Sequence, residues 1–166
     1  MRFTLLDRIT TLEPGATVTA VKNLTMAEEY LADHFPLFPV MPGVLMLEAM
    51  IEASAWLIRA TEDFAHSVIV LRQARNVKYG QFVQPGQTLK VTAEIQNQAD
   101  GETKIKAKGM MDGRLTVAAR LTLQGYNLGD TNPARARTDD DIRQEMRKLF
   151  ALLYDPSLAS TPLEQA

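Results

Sequence analysis

The chain has 166 residues, enough for one domain with a hydrophobic core and too few for two comfortable ones. Its 18 basic and 20 acidic side chains give a net charge of −2, so no strong positive field would hold a nucleic acid. The absence of cysteine excludes a thiol nucleophile, a disulfide framework and a thiolate metal site. With no secretory signal and no apolar run long enough to span a membrane, we expect a cytoplasmic protein.

The first part of the chain predicts a β-hairpin followed by an irregular segment. Phe3–Ile9 and Ala16–Asn23 alternate loosely between apolar and polar residues, and Glu13-Pro14-Gly15 separates them with turn-forming residues. Residues 26–32 predict a short helix. Three prolines punctuate residues 34–43 and exclude a helix there, so we expect an ordered loop or a linker.

The segment Gly43–Arg59 predicts a helix that is apolar on nearly every side, which is typical of a buried helix. Pro42 precedes it, where a missing N–H does least harm. Glu48 and Glu52 are its only acids, and a buried carboxylate is costly unless it is paired or protonated. Two interpretations stay open: a buried ion pair, with Arg59 as a candidate partner of Glu52, or a carboxyl with a raised pKa that acts as a general acid.

Four more strands are predicted after this helix. They cover residues 66–77, 89–97, 103–110 and 114–124, with turns at Gln84–Gln87 and at Met111-Asp112-Gly113. Strands that follow one another around a single helix indicate an α+β domain with an antiparallel sheet, not the βαβ repetition of a parallel sheet.

The last forty residues change character. Residues 129–137 are polar, and three aspartates follow Thr138, which predicts a helix capped by that threonine. Its apolar residues form one stripe: Ile142, Met146, Leu149, Phe150 and Leu153. We expect this helix to lie on its own domain or on a partner subunit, with a membrane-surface or regulatory role as the alternative. The predicted organisation is a domain of residues 1–127 and an added segment of residues 128–166, comprising a linker, the amphipathic helix and a loose tail.

His34 is one of only two histidines and stands at the start of the proline-rich loop that leads into the apolar helix. A histidine in a loop is weak support for catalysis by itself. The other histidine, His66, follows no motif, and we expect it to be a surface residue or a hydrogen-bonded structural one.

Three neighbouring segments together resemble the signature of the 3-hydroxyacyl-(acyl carrier protein) dehydratases: His34-Phe35-Pro36, Pro39–Leu45 and Glu48-Ala49-Met50. The resemblance covers about Phe3 to Asn127. It includes further short matches at Leu5–Arg8, Glu13–Gly15, Val21–Asn23, Val77–Tyr79, Pro85-Gly86 and Met111–Gly113. That family has the hot-dog fold, an antiparallel sheet wrapped around one long central helix. We therefore expect an α+β hot-dog fold with an extra C-terminal helix.

The resemblance implies dehydration of 3-hydroxyacyl thioesters in fatty acid biosynthesis, with His34 taking the C2 proton and Glu48 assisting departure of the C3 hydroxyl. In the family the glutamate comes from the other subunit, which implies a homodimer or a trimer of dimers. In having glutamate at position 48, the chain resembles the branch of the family that dehydrates without moving the double bond. The N–H of Gly43 would donate to the thioester oxygen. Phe35, Pro42 and Val44 would line the substrate site, and no metal or organic cofactor is implied.

Two residues depart from the family pattern. Leu37 stands where glycine is usual, and we expect its side chain to narrow the mouth of the substrate tunnel or to reshape the loop. Glu52 stands where glutamine is common, and a second carboxyl one turn from Glu48 should favour protonation of one of the two.

Arg72, Arg75 and Lys78 form a stretch without an acid, which could dock an acidic carrier protein or be scattered surface charge. Two other functions remain open on the same fold: thioester hydrolysis and non-catalytic acyl binding. The pairing of His34 with Glu48 favours elimination over both.

Overall fold

A six-stranded antiparallel sheet wraps around one long helix in the computed structural model, which describes residues 4–157. The helices are α1, Gly43–Thr61, and α2, Ala136–Leu153. The strands are β1 Arg8–Glu13, β2 Thr17–Asn23, β3 Val68–Tyr79, β4 Thr88–Ala99, β5 Glu102–Met111 and β6 Arg114–Tyr126. Their order across the sheet is β1-β2-β4-β5-β6-β3, so β1 and β3 are its edges. The predicted α+β arrangement around a central helix is confirmed.

Small side chains on the inner face of the sheet give the central helix room to pack closely. Ala93, Ala107 and Ala119 lie opposite one another on β4, β5 and β6, and all three are buried. On the facing side of α1, Met50 and Leu57 are fully buried. Each large apolar side chain buried in this way contributes about 1.5–3 kcal/mol, so this contact stabilises the position of α1 against the sheet.

The N-terminal segment differs from the prediction. The first strand begins at Arg8, and residues 4–7 are irregular, while Phe3 lies outside the described residues. Leu5 and Leu6 are buried, and their N–H groups donate to the carboxylate of Glu52 on α1. The Glu52 side chain, 47 residues after Leu5, thus accepts backbone hydrogen bonds that would otherwise be available to a neighbouring strand.

The C-terminal helix lies on its own domain, as one of the predicted alternatives states. The ring of Phe150 lies 5.9 Å from that of Trp56 and 5.5 Å from that of Phe64, centroid to centroid. The predicted Thr138 cap is wrong, because α2 begins at Ala136 without a side-chain cap. The tail beyond residue 157, predicted to be loose, lies outside the described residues.

Asp139 ties this helix to the domain. Its buried carboxylate accepts hydrogen bonds from the N–H groups of Leu128 and Gly129 and from the hydroxyl of Ser67. Burial works to raise the pKa of Asp139, but these hydrogen bonds outweigh it, so the pKa lies below its ordinary value. Within residues 4–157, neither helix combines the length and the hydropathy needed to cross a bilayer.

Candidate active site

His34 is held in the loop by hydrogen bonds on both sides. Its N–H donates to the carbonyl of Tyr30 at 3.0 Å, and its carbonyl accepts from the N–H of Val40 at 3.0 Å. The ring nitrogen Nδ1 lies 2.9 Å from the carbonyl oxygen of Val40. A carbonyl only accepts, so Nδ1 carries the proton and the neutral ring keeps a lone pair on Nε2. The arrangement therefore prepares Nε2 to take a proton.

The loop after His34 presents apolar side chains to solvent. The ring of Phe35 stacks on His34 at 4.2 Å between centroids, and Phe35 is 50% exposed. Phe35 and Phe38 exchange two backbone hydrogen bonds that close a turn, and Leu37 at its tip is 100% exposed. Leu37 therefore lines no cavity among residues 4–157, and the expected narrowing of a tunnel mouth would need a neighbouring chain.

The beginning of α1 supplies a free backbone donor. Pro42 accepts hydrogen bonds from the N–H groups of Leu45 and Met46, which starts the helix. The N–H of Gly43 lies in the first turn, where no helical carbonyl can reach it, at the positive end of the helix dipole. A Cβ at Gly43 would lie 3.1 Å from the ring of Tyr79, so glycine allows this ring to pack against the helix start. The site is suited to bind a developing oxyanion.

Glu48 and Glu52 have different surroundings although they lie one turn apart. Glu48 is half-buried and makes no hydrogen bond or ion pair with any residue from 4 to 157. Glu52 accepts from the N–H groups of Leu5 at 2.8 Å and Leu6 at 3.2 Å, and from Trp56 Nε1 at 3.5 Å. Burial raises the pKa of Glu52 against these hydrogen bonds, and the charge of Glu48 adds to the rise.

The suggested ion pair between Glu52 and Arg59 is wrong. Arg59 instead donates to the backbone carbonyls of His66 and Ser67. Seven residues of helix separate Arg59 from Glu52, a rise of about 10 Å, which places the guanidinium beside the start of β3. His66 is hydrogen-bonded to Glu62 at 2.8 Å, which confirms that it is a partnered structural residue.

Within one chain the proposed catalytic side chains are not joined. No hydrogen bond or ion pair connects His34 with Glu48 in the described part of the chain. Around them, Val44 is 68% exposed on the same face of α1 as Glu48, and half of Tyr79 is open to solvent. Among the strands within residues 4–157, none pairs with the outer edge of β3. In the described part of the chain, this face therefore exposes apolar side chains.

The described residues also form two grooves that neither His34 nor Glu48 lines, although the first borders the His34 loop at Phe38. One, of about 700 Å³, is lined in part by Phe38, Phe82 and Met111. The other, of about 940 Å³, lies on the outer face of the sheet, and five cations line it together with one acid, Glu102: Arg72, Arg75, Lys104, Lys106 and Arg120. Lys78 of the predicted docking stretch is not among its lining residues.

Sequence reasoning missed several of these residues. The carbonyl of Val40 carries no side-chain signal, and the contact of Tyr79 with Gly43 joins distant parts of the chain. The alternation of Lys104 and Lys106 along β5 is a sequence signal that both side chains point outward. Among the residues that the structure describes, no three histidine, aspartate or glutamate side chains converge as a metal site would require.

Known proteins resemble the chain in both sequence and fold. Residues 1–120 match the family model for the FabA-like domain. The 3-hydroxyacyl-(acyl-carrier-protein) dehydratase FabZ of Janthinobacterium sp. (strain Marseille) is 38% identical over 133 residues, covering 78% of this chain and 85% of the relative. The FabZ of Clostridium kluyveri is 36% identical over 134 residues, covering 78% and 88%.

Solved structures agree on the fold. The chain superposes with a TM-score of 0.63 on the dehydratase heterocomplex ApeI:P from Xenorhabdus doucetiae, at 17% identity over 80% of this chain and 90% of that one. With the PaaI protein of E. coli the TM-score is 0.55, at 12% identity, covering 71% and 78%. The predicted hot-dog fold is confirmed.

Proposed function

The chain belongs to the FabA-like family, and from this premise we propose that it dehydrates 3-hydroxyacyl thioesters to trans-2-enoyl thioesters in fatty acid biosynthesis. The observation that carries this proposal is the hydrogen bond from His34 Nδ1 to the Val40 carbonyl. It leaves Nε2 as the base that an elimination needs.

In the proposed reaction, His34 Nε2 takes the proton from C2 and the electron pair of that bond forms the C2–C3 double bond. The carboxyl of Glu48 donates a proton to the C3 hydroxyl as the C–O bond breaks, so the oxygen leaves as water. Transfer of a proton from the imidazolium back to the carboxylate resets the site. The N–H of Gly43 stabilises negative charge on the thioester oxygen, and Phe35, Pro42 and Val44 line the substrate site.

We infer that Glu48 comes from a second copy of the chain. The uncovered face of α1, the open edge of β3 and the lack of any bond between His34 and Glu48 support a homodimer, alone or within a trimer of dimers. Residues 1–127 would form the catalytic domain and residues 128–166 an added segment, which packs on the domain through Phe150 of α2.

We also propose the basic groove as the docking surface for an acidic acyl carrier protein. Arg75, Arg120 and Lys106 stand opposite one another on β3, β6 and β5, and no ion pair joins them to an acid within residues 4–157. One acid, Glu94 on β4, stands opposite Lys106, and the other adjacent cations repel one another, so the groove would attract an anionic partner. Arg72 belongs to the same groove, and Lys78 would contribute from outside it.

The docking proposal is tested by comparing carrier-linked and coenzyme A-linked substrates. For Arg75→Glu/Arg120→Glu we expect KM for the carrier-linked substrate to rise about tenfold, with little change for the other. Lys148→Glu on α2 is the control reversal outside the groove. An unchanged KM for the carrier-linked substrate would remove the groove from the docking site.

One assay tests the proposed reaction against hydrolysis and simple binding. The protein is incubated with a 3-hydroxyacyl thioester or its 2-enoyl counterpart, and enoyl absorbance and free thiol are followed. We expect reversible interconversion without thiol release, lost in His34→Ala and in Glu48→Gln. Thiol release would indicate a thioesterase, and binding without either reaction would indicate a non-catalytic acyl-binding protein.

A further inference from the structure

A buried ion pair lies beside the segment that leads to His34. Lys22 on β2 is only 5% exposed, and its Nζ lies 2.5 Å from Oε1 of Glu28, whose side chain is also largely covered. Neither residue takes part in the chemistry proposed above. An ammonium group in such a place is costly to bury without its partner, so the pair fixes the position of Glu28 against the sheet.

Glu28 begins the short 3-10 helix at Glu29–Ala32. The carbonyl of Glu28 accepts the N–H of Leu31 at 3.0 Å, which closes the turn. Inside this helix, the carbonyl of Tyr30 accepts the N–H of His34 at 3.0 Å. A short chain of contacts therefore runs from the Lys22 ammonium through Glu28 and this turn to the backbone of His34.

The other side of His34 is held separately. The carbonyl of Val40 accepts a hydrogen bond from Nδ1–H, and the N–H of Val40 donates to the His34 carbonyl. The N–H of the next residue, Met41, donates to the carbonyl of Val83 at 2.8 Å. The orientation of the His34 ring is thus fixed by two anchors: the hydrogen bond to Tyr30 before it and those to Val40 after it. If the contact with Tyr30 were lost, the His34 backbone could rotate about its hydrogen bonds to Val40. Nε2 would then be misaligned with the substrate.

We propose that Lys22 and Glu28 are positioning residues that fix the orientation of His34 and so set the rate of dehydration without contacting substrate. This inference rests on the proposed role of His34 as the base. Misplacement of a reacting group by about 1 Å can cost on the order of 100-fold in rate, so a modest rotation of the loop should be visible in kcat.

The test uses the double variant Lys22→Met/Glu28→Leu. Removing one member leaves an unpaired buried charge and endangers folding, whereas removing both is often neutral for stability. For the double variant we expect kcat to fall about 10- to 100-fold, with KM within about twofold of the wild type and a similar unfolding midpoint. The control Asp63→Asn/Arg147→Met removes the exposed ion pair between the turn after α1 and α2, and it should leave kcat unchanged.

A second readout separates this inference from the proposed reaction. Nitrogen-15 NMR of the histidine rings reports which nitrogen of His34 carries the proton. We expect a single Nδ1–H form in the wild type and a mixture in the double variant, whether or not the chain dehydrates thioesters. Wild-type kcat or an unchanged tautomer in a folded double variant would overturn the inference, as would a loss of activity that merely follows loss of folded protein.

Discussion

The C-terminal helix α2 and the face formed by the His34 loop and the start of α1 both carry apolar and charged side chains. The described chain supplies packing and hydrogen-bond partners for the side chains of α2 but leaves several of those on the other face without any. On α2, Phe150 packs against two aromatic rings and Asp139 accepts three hydrogen bonds. On the other face, Leu37 and Val44 are exposed and Glu48 has no partner in the described chain. The first region stabilises the fold, whereas the second is the face at which we propose that substrate and a second chain bind.

The largest effect is expected from placing a charge on the uncovered face of α1. Val44→Asp should prevent a second copy from covering this face, because an aspartate there would lose its hydration without gaining a partner. Activity should fall about 10²- to 10⁴-fold, the contribution of a lost general acid. Light scattering should show a folded monomer at the concentrations at which we expect the wild type to be a dimer. An active monomer would contradict the shared site.

The corresponding substitution on α2 is Phe150→Ala. Loss of this ring from its contacts with Trp56 and Phe64 should lower the free energy of unfolding by about 3 kcal/mol, measured by urea denaturation. The kcat of the protein that remains folded should not change. A drop in kcat for the folded variant would mean that α2 contributes to the active site after all.

The pH dependence of stability sharpens the comparison at Asp139. Its pKa is lowered in the fold, so its contribution to stability is fully present above the ordinary value of 3.8 and is lost as the pH falls through the lowered pKa. Asp139→Asn should be less stable at neutral pH, since an amide cannot accept all three hydrogen bonds, and its stability should fall less steeply in acid. Urea midpoints between pH 2 and 7 measure both effects, and identical curves for the two proteins would refute this account of Asp139.

For Glu52 we expect the opposite pH dependence of stability and the smallest of these effects. Its pKa is raised in the fold, so ionisation weakens the folded state and stability falls as the pH rises from the ordinary value of 4.5 through the raised one. In Glu52→Gln the amide oxygen can still accept from Leu5 and Leu6 without this cost. We expect the variant to be at least as stable as the wild type at pH 7. A clear destabilisation there would show that the charge itself is required.

The parts that were predictable from sequence depend on local signals. The ends of the irregular loop follow from its three prolines, and α1 follows from its apolar residues and the glycine after Pro42. The start of β1 was missed because the Glu52 carboxylate binds the N–H groups of Leu5 and Leu6 from 47 and 46 residues away. The start of α2 was missed because Asp139 binds a distant serine and a preceding turn rather than the first turn of its own helix.

In the candidate active site, too, some features were predictable from sequence and others depend on contacts between distant residues. The resemblance to a dehydratase signature supplied His34, Gly43 and Glu48, but the partner of the His34 ring is a backbone carbonyl that no residue type reveals. The basic groove combines cations from β3, β5 and β6, so only the register of the sheet brings them together.

Subunit complementation tests most directly the central claim that each site takes His34 from one chain and Glu48 from another. His34→Ala and Glu48→Gln proteins, each inactive alone, are unfolded together, refolded and assayed for dehydration. With random pairing, half the dimers are mixed and each contains one intact site, so about a quarter of the wild-type activity should return. If both residues acted from the same chain, every dimer would lack an intact site, and the mixture would be as inactive as its components.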